Sequence, residues 1–220
     1  MNFQNTNKPS KVVLSVGDES GIGPEIILKA LYSNEIPENI EYILVGSKKN
    51  LQNTYENLRS LGLENLANPK NLKIQDIEIC PSNNDPKSSY GDSSFQYLKK
   101  AIEIVKQYPN AALVTGPICK KSWSLAGHYF SGQTEVLAKS CSVKNVGMLF
   151  TAKSPITGWR FNTLLATTHI ALSEVPKKLT KELIHSKLDL FKDFCITYTD
   201  KPTLKVAGLN PHAGEEGILG

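Results

Sequence analysis

Apolar and polar positions follow two different spacings along this chain. Short runs rich in β-branched residues predict buried strands, and longer segments with apolar residues every three or four positions predict amphipathic helices. The predicted strands span residues 11–16, 42–45, 72–79, 111–115, 146–150, 164–167 and 204–209. The predicted helices begin at Pro24, after Ser47, at Asp92 or Ser93, and at Thr180, the last one extending to Cys195. Strands that alternate with helices predict an α/β fold with a largely parallel sheet.

The two ends of the chain and one internal segment differ from this alternating pattern. Residues 1–10 are polar, and we expect them to be a disordered lead-in. Residues 81–91 are rich in Pro, Ser, Asn and Gly and predict a loop. A dense polar loop at 210–217 follows the last predicted strand, and the sequence stops three residues later. Because a natural domain seldom ends on such a loop, we expect residues 11–220 to be a fragment of a longer protein.

Composition narrows the class of protein without identifying its chemistry. The 220 residues carry a formal net charge of +4, and the basic residues form only scattered pairs, which argues against a nucleic-acid binder. No apolar run approaches the roughly 18 residues of a membrane span, and the N-terminus lacks the apolar region of a secretory signal. The four cysteines are far apart and form no CxxC pair, which argues against a disulfide framework or zinc ribbon and favours the reducing cytoplasm. The cysteines expected to be small core hydrophobes are Cys119, Cys141 and Cys195.

Four polar loops follow predicted strands, at residues 17–23, 115–121, 167–174 and 210–217. Ligands of parallel sheets collect at the carboxyl ends of the strands, so these loops are the predicted location of the chemistry. The first loop matches neither the dinucleotide fingerprint nor the Walker A loop. It is either a glycine-rich turn that lets a helix pack close to its strand or a helix N-terminus that presents N–H groups to an anion. Its Asp18 and Glu19 argue against a directly bound phosphate.

Two further segments are candidates for anion binding. Lys120 and Lys121 close the second loop, where they form either an anion site or the solvated start of a helix. Gln133 and Thr134 precede an apolar stretch, and Thr134 could cap a helix there. Together Gln133 and Thr134 could hold a phosphate through side-chain groups and backbone N–H groups at the helix N-terminus.

Two histidines stand directly after predicted strands, His169 in the third loop and His212 in the fourth. Neutral imidazole is the commonest ligand for a catalytic divalent metal, and the ends of parallel strands share one edge of a sheet. The pair is therefore either two ligands of a metal site that needs a third, or two loop residues with unrelated hydrogen bonds. His128 and His185 are interpreted as an ordinary loop residue and a helix-surface residue.

The loops, in this order, resemble those of the 4-hydroxythreonine-4-phosphate dehydrogenase family of vitamin B6 synthesis. The family typically has a Gly-Asp-Pro-Ala-Gly-Ile-Gly-Pro-Glu stretch, and residues 17–25 here are Gly-Asp-Glu-Ser-Gly-Ile-Gly-Pro-Glu. The resemblance continues through 113–120 (Leu-Val-Thr-Gly-Pro-Ile-Cys-Lys), 132–135 (Gly-Gln-Thr-Glu), 166–169 (Ala-Thr-Thr-His) and 208–215 (Gly-Leu-Asn-Pro-His-Ala-Gly-Glu). Together these segments, in register over nearly the whole chain, make the match specific.

The resemblance implies a fold, a reaction and partners. The implied fold is the two-lobed α/β fold of isocitrate and isopropylmalate dehydrogenases, with its C-terminal segment missing here and a lobe division near residues 111–118. The implied enzyme is a homodimer that uses NAD or NADP and a divalent metal, which is zinc, magnesium or cobalt. It oxidises the secondary alcohol of 4-phosphohydroxy-L-threonine, a small phosphorylated amino hydroxy acid, and the keto acid then loses CO₂ to give an aminoketone phosphate. In this chemistry the metal acts as a Lewis acid and the nicotinamide accepts the hydride.

By position, the resemblance assigns four residues. His169 and His212 match two of the family's three metal-binding histidines, and Gln133 and Thr134 match its substrate phosphate-binding pair. The third metal histidine and most of the cofactor site lie beyond Gly220 in the family. The resemblance therefore assigns no catalytic or cofactor-binding residue in this chain.

Two positions depart from the family pattern. Gln133 stands where the family usually has histidine, and Cys119 stands where histidine is common before the lysine. Glutamine can donate a hydrogen bond but carries no charge, which leaves two alternatives to the assigned reaction. One is a related dehydrogenase that acts on a phosphothreonate or a dihydrodiol dicarboxylate. The other is a non-catalytic, truncated remnant.

Overall fold

A parallel β-sheet lies at the centre of the first of two compact units. The computed structural model describes residues 10–78 and 85–219, and the chain divides into unit 1, Met1–Ser142, and unit 2, Val143–Gly220. The strands of unit 1 are β1 (Lys11–Ser15), β2 (Glu41–Gly46), β3 (Lys73–Asp76) and β4 (Ala111–Thr115). They lie in the order β3-β2-β1-β4, and each neighbouring pair is parallel. This sheet confirms the predicted α/β class.

Helices connect and flank these strands. They are α1 (Gly23–Tyr32), α2 (Lys48–Ser60), α3 (Pro86–Lys106), α4 (Lys120–Leu125) and α5 (Gln133–Ser140), with a 3₁₀ turn at Pro69–Asn71. Pro24 lies in the first turn of α1, where its missing N–H costs no helical hydrogen bond. The side chain of Ser47 accepts a hydrogen bond from the N–H of Asn50 and caps α2, as predicted.

The apolar residues of the strands are buried because helices cover the sheet. α3 packs against β1, β2 and β4, and Val13, Leu28 and Leu44 lie fully buried in the resulting cluster. A second cluster joins α3 to α4 and α5 and contains Leu98 and Trp123, neither of which has exposed surface. Fully burying one such side chain contributes roughly 1.5–3 kcal/mol. The loops at the carboxyl ends of the strands therefore rest on a well-packed support.

Unit 2 contains an antiparallel hairpin and a longer helix. Its elements are β5 (Leu149–Lys153), β6 (Arg160–Leu164), α6 (Val175–Lys178) and α7 (Lys181–Cys195), with 3₁₀ turns at Leu172–Glu174 and Glu215–Gly217. The helix predicted over Thr180–Cys195 is α7, and Thr180 is its cap, because its Oγ1 accepts a hydrogen bond from the N–H of Leu183 at 3.2 Å. Large apolar side chains of this unit remain exposed, among them Phe150, Ile156 and Trp159.

The predicted start of the third long helix is wrong. α3 begins at Pro86, well before the predicted Asp92 or Ser93. The cause is a cap at Asp85, whose Oδ1 accepts a hydrogen bond from the N–H of Lys87 at 2.9 Å. Proline after a capping aspartate is a typical helix start, so the Asp-Pro pair was an available signal.

The predicted strands of unit 2 are displaced or absent. β5 starts later than the predicted strand at 146–150, and β6 lies earlier than the one predicted at 164–167. Residues 204–209 form no strand in the described part of the chain, where no neighbouring strand offers partners for their backbone groups. The loops at 167–174 and 210–217 therefore do not follow parallel strands, contrary to the prediction.

Some predicted segments lie partly outside the described residues. These are residues 1–9 of the expected lead-in, residue 79 of the third predicted strand and residues 81–84 of the predicted loop. The later part of that loop, from Pro86 onward, belongs to α3. Within 10–78 and 85–219, no helix combines the length and apolar character needed to cross a membrane.

Two further predictions concern the lobe division and the cysteines. The lobe division predicted near 111–118 coincides with β4, which pairs with β1 along its length, and the boundary between the two units lies later, after Ser142. Cys195 is buried, as expected of a core residue, and Cys119 is half-buried. Cys141 is exposed, so its prediction as a core residue is wrong. It follows the last residue of α5, beyond the part of that helix that is buried.

Candidate functional site

The loops after β1 and β4 lie directly against each other at the carboxyl edge of the sheet. The N–H of Asp18 donates to the carbonyl oxygen of Pro117 at 2.8 Å. Gly17 has a φ of +78°, and a Cβ placed on it would lie 2.3 Å from that same oxygen. A Cβ on Gly116 would lie 2.3 Å from the carbonyl oxygen of Val16. Real Cβ atoms do not approach so closely, so the glycines serve close backbone packing, which favours the first interpretation of this loop.

Carboxylates line the part of this edge formed by β1 and β3. Asp18 is buried, and its Oδ1 accepts hydrogen bonds from the N–H of Ser20 at 2.9 Å and from its hydroxyl at 2.7 Å. Asp76, the last residue of β3, accepts a hydrogen bond from the N–H of Lys48 at 2.8 Å. Glu19 lies close enough to both acids to interact with their charges. A phosphate bound here would face three carboxylates, so this part of the edge does not suit an anion.

Glu19 connects the first loop to two helices. The hydroxyl of Tyr97, a buried residue of α3, donates a hydrogen bond to its carboxylate, and the backbone N–H of Ser47 donates a second. Burial raises the pKa of Glu19 above its ordinary value, the charges of Asp18 and Asp76 act in the same direction, and the two hydrogen bonds oppose them. Burial also raises the pKa of Tyr97, which therefore keeps its proton and donates.

The second loop leads into α4 beside a pair of exposed lysines. Cys119 precedes α4, and hydrogen bonding from Ser122 lowers the pKa of its thiol below the ordinary value. Lys120 and Lys121 follow and are exposed. A Cβ placed on Gly132 would lie 3.8 Å from Cε of Lys120. The Lys120 side chain therefore reaches the start of α5.

The N-terminus of α5 is the part of unit 1 best suited to an anion. Gly132 occupies the position before the helix and has no side chain to accept its first N–H groups. Gln133 is half-buried and its Nε2 donates to the carbonyl oxygen of Gly116 at 3.1 Å, whereas Thr134 is exposed. The carboxylate of Glu135 lies 3.5 Å from the position of a Gly132 Cβ. An anion bound at these N–H groups would have to move that carboxylate aside.

The two predicted metal ligands lie in exposed loops of unit 2. His169 has a φ of +55°, which is uncommon for a residue with a Cβ. The N–H of His212 donates to Oδ1 of Asn210 at 2.9 Å, and its Nδ1 lies 3.6 Å from the carboxylate of Glu215. Among the residues that the structure describes, no group of three or more His, Cys, Asp or Glu side chains is arranged to hold a metal ion. These residues therefore do not complete a divalent-metal site by themselves.

The structure brings two of the four predicted site residues close to the second loop. It brings Gln133 to the second loop through Gly116, and it places Thr134 beside Gln133 on α5. His169 and His212 belong to unit 2, in loops that follow no parallel strand.

His128 lies in a loop, as predicted, but sequence reasoning missed its contacts with α3. Its ring stacks on Phe95 with the centroids 3.8 Å apart, and its Nε2 lies 2.8 Å from Oδ1 of Asp92. Asp92 precedes it by 36 residues, and nothing in the local pattern pairs the two. His185 is exposed on α7, as predicted. Glu19 was likewise examined only as a charge in its loop, because Tyr97 lies 78 residues away.

Solved structures of similar fold support the architecture described above. A 4-hydroxythreonine-4-phosphate dehydrogenase from Klebsiella pneumoniae is 25% identical with a TM-score of 0.77, and the match covers 97% of this chain and 67% of that one. The corresponding enzyme from Burkholderia phymatum gives a TM-score of 0.73 at 22% identity, covering 97% and 66% of the two chains. The fold is therefore that of an α/β protein with the chain topology of these dehydrogenases.

The sequence of this chain also matches a defined family. The family model described as pyridoxal phosphate biosynthetic protein PdxA matches residues 38–220. The chain belongs to the PdxA family, which confirms the resemblance found in its loops.

Relatives named 4-hydroxythreonine-4-phosphate dehydrogenase match along almost the whole chain. The protein of Synechococcus sp. (strain RCC307) is 45% identical over 213 residues, which cover 96% of this chain and 64% of the relative. That of Nostoc sp. (strain PCC 7120 / SAG 25.82 / UTEX 2576) is 43% identical, covering 99% of this chain and 64% of the relative. This chain therefore spans slightly less than two thirds of the length of these relatives.

Proposed function

We propose that this chain is part of a 4-hydroxythreonine-4-phosphate dehydrogenase that acts in cytoplasmic vitamin B6 synthesis. The enzyme oxidises the secondary alcohol of 4-phosphohydroxy-L-threonine to a ketone, and the keto acid then releases CO₂ to leave an aminoketone phosphate. NAD or NADP takes up the hydride of the alcohol carbon. The observation that carries the proposal is the start of α5, where uncapped N–H groups and Gln133 lie beside Lys120 in a chain 45% identical to a relative of that name.

The proposed role of α5 is to hold the phosphate of the substrate. The helix N-terminus attracts negative charge, and Lys120 adds a full positive charge next to it. Gln133 has two amide hydrogens and uses one for Gly116, so the other can donate to a phosphate oxygen. The hydroxyl of Thr134 is exposed and adds a further donor. Hydrogen bonds to a charged group contribute about 1.5–3 kcal/mol each, enough to hold a small phosphorylated acid.

We assign His169 and His212 as two ligands of a divalent metal, which is zinc, magnesium or cobalt. Such a metal supplies Lewis-acid chemistry at an alcohol oxygen. Neutral imidazole suits zinc and cobalt better than magnesium, which prefers oxygen ligands, and both rings are exposed in loops. Because the described residues do not complete the site, a further ligand has to come from elsewhere in the protein or from a second subunit.

The proposal also includes the two-lobed dehydrogenase fold and a homodimer. Phe150 and Phe161 lie on the same face of the β5–β6 hairpin and are 56% and 51% exposed, and Trp159 beside them is 65% exposed. Exposed aromatic patches of this kind mark association surfaces. In sedimentation experiments, we expect Phe161→Glu to favour the monomer, whereas Tyr129→Glu, at a residue of unit 1 that is 81% exposed, should leave the oligomeric state unchanged.

One observation favours a second candidate within the enzyme class. Gln133 offers no positive charge to a phosphate, so a related dehydrogenase of a phosphothreonate or a dihydrodiol dicarboxylate remains the alternative. A non-catalytic remnant is the third possibility.

Turnover measurements separate these candidates. The chain, alone and extended after Gly220 by the part of the Synechococcus relative that it does not match, is assayed for NADH and NADPH formation. The substrates are 4-phosphohydroxy-L-threonine, its unphosphorylated form, a phosphothreonate and a dihydrodiol dicarboxylate. We expect the extended chain to prefer the first substrate and His169→Ala to abolish metal-dependent turnover, with His185→Ala as the matched control. Preference for another substrate, or no turnover in the extended chain, would overturn the proposal.

A further inference from the structure

The segment Gly127–Gly132 determines where α5 begins. It leaves α4 at Gly127, whose φ of +84° is the left-handed conformation that commonly ends a helix. The N–H of His128 then donates to the carbonyl oxygen of Trp123 at 2.9 Å. The next residue, Tyr129, is 81% exposed. Because Tyr129 is exposed, the position of the segment depends on the contacts of the side chains on either side of it, His128 and Phe130.

His128 attaches this segment to α3 through two contacts. Its ring stacks on Phe95, with centroids 3.8 Å apart and planes inclined by 13°. Its Nε2 lies 2.8 Å from Oδ1 of Asp92, and because a carboxylate only accepts, Nε2 carries the proton. The same oxygen accepts a hydrogen bond from the Gln96 side chain at 3.1 Å, which fixes the orientation of Asp92. Within the described residues, this is the side-chain hydrogen bond that the segment makes.

The surface of α3 that receives His128 is itself firmly held. Phe95 is 8% exposed and meets Trp123 edge to face at 5.2 Å. The indole N–H of Trp123 donates to Oγ of Ser94 at 2.8 Å. A Cβ placed on Gly91 would lie 2.0 Å from the carbonyl oxygen of Ser122, so α3 and α4 touch backbone to backbone. The contacts of His128 therefore attach the segment Gly127–Gly132 to two helices, α3 and α4, that are packed tightly against each other.

The other end of the segment reaches the proposed phosphate site. Phe130 stacks on the same Phe95 at 5.6 Å, and two residues later the chain enters α5. Gln133 then returns to the second loop by donating to Gly116 at 3.1 Å. His128 and Gln133 thus fix the two ends of a short connection, and a shift at one end changes the position of the other.

We propose that His128, held by Asp92 and Phe95, is a positioning residue for the phosphate-binding start of α5. It does not touch the substrate, and it acts by fixing the segment that places Gln133 and the first N–H groups of the helix. The inference rests on the proposed function, because it takes the start of α5 as the phosphate site.

The first experiment measures amide hydrogen exchange in the 220-residue chain. His128→Phe keeps an aromatic ring to stack on Phe95 but cannot donate to Asp92. We expect exchange in residues 127–134 to become about tenfold faster, with exchange in β2 unchanged as a check of the fold. His185→Phe, at an exposed histidine of α7, is the matched control. Unchanged exchange in 127–134 would overturn the proposal.

The second experiment measures ligand binding and turnover. Inorganic phosphate and 4-phosphohydroxy-L-threonine are titrated into the chain by NMR, and the extended chain is assayed for KM and kcat. We expect His128→Phe to weaken phosphate binding and raise KM about three- to tenfold while kcat changes less than twofold. Asp92→Leu should have the same effect, whereas Asp92→Asn keeps an acceptor oxygen and should restore most of the affinity.

The outcomes separate this inference from the function on which it rests. If the unaltered chain binds phosphate and His128→Phe binds it equally well, the positioning role is wrong and the proposed function stands. If the unaltered chain binds no phosphate and the extended chain turns over no phosphorylated substrate, the proposed function is wrong and the inference falls with it. A fall in kcat at constant KM would also overturn the inference, because positioning of the phosphate acts on binding.

Discussion

At the scale of single residues, contacts distant in sequence decide what a side chain does. The pattern around Glu19 showed only a charged loop that disfavours phosphate, which the structure bears out with Asp18 and Asp76 nearby. Its bond to Tyr97 could not be predicted, because the phenol projects from a helix 78 residues later and has no local signature. Gln133 was a candidate from its position before an apolar stretch and from the resemblance, but its hydrogen bond to Gly116 depends on how two loops meet and had no sequence signal.

Glu19 makes stability depend on pH in a definite direction. Its folded-state pKa is raised above the ordinary 4.5, so its contribution is fully present below that value and is lost as pH rises through the folded pKa. Glu19→Gln removes the buried charge and keeps an acceptor for Tyr97. We expect it to be more stable than the unaltered chain at pH 7, by about 0.5 kcal/mol because solvent screens a partly buried carboxylate, and equally stable near pH 4.

Urea denaturation at several pH values measures this difference. Glu38→Gln, the same substitution at an exposed glutamate, is the matched control. A Glu19→Gln variant whose advantage grows as pH falls would contradict the assigned direction of the pKa shift.

Gln133 predicts the response of phosphate binding to charge. Gln133→His introduces a side chain that is protonated below about pH 6.5 and can form a charge-assisted hydrogen bond. We expect phosphate affinity to be retained at pH 8 and to rise up to about tenfold at pH 6, measured by titration of the chain with 4-phosphohydroxy-L-threonine. Gln133→Ala should lower affinity at both pH values. If Gln133→His binds the unphosphorylated compound better, the site has a different substrate.

At the scale of elements, strands that are buried were located more accurately from the sequence than strands that are exposed. β1 and β2 were predicted well because both faces of a covered parallel strand are apolar and give continuous runs. The apolar run at 111–115 also located β4, although its residues are only partly buried and Val114 is exposed. The strands of the β5–β6 hairpin were misplaced because no residue of either strand is buried, four of the five residues of β5 are exposed, and the run of apolar residues does not coincide with the pairing. Residues 204–209 have a strand-like composition, but composition cannot supply the neighbouring strand that they lack.

The second core cluster predicts which leucine of this region contributes more to the free energy of unfolding. Leu98 of α3 has no exposed surface and packs with Trp123, whereas Leu125 of α4 is 47% exposed. Leu98→Ala leaves a cavity and should lower the free energy of unfolding by about 3 kcal/mol, and Leu125→Ala by less than about 1 kcal/mol. The measurement is urea denaturation followed by Trp123 fluorescence in a Trp159→Phe background, so that the signal comes from unit 1. Equal losses in the two variants would contradict the packing described.

At the scale of the whole molecule, unit 1 has a sheet edge without a neighbour among the described residues. β4 pairs with β1 on one side, and Val114 is 48% exposed. The relatives are longer than this chain by more than a third of their own length, and the family match extends to residue 220. An unpaired edge strand with exposed apolar surface favours pairing with another chain.

We therefore expect the 220-residue chain on its own to associate and to be inactive with NAD or NADP. Val114→Lys places a charge on the edge and should reduce association, as measured by light scattering against protein concentration. Val143→Lys is the matched control, because Val143 is also 48% exposed but lies outside the sheet. A monodisperse 220-residue chain that reduces NAD with 4-phosphohydroxy-L-threonine would contradict both expectations.

The contact between Gly17 and Gly116 has a consequence at the level of the gene. Every glycine codon begins with two guanines, and any single-base change in either of them replaces glycine with a larger residue or a stop. Each replacement residue carries the Cβ that would lie 2.3 Å from a backbone oxygen at either position. Drift at these two codons is thus confined to the third base, and in a library of random point mutants only silent changes there should survive selection for the folded protein.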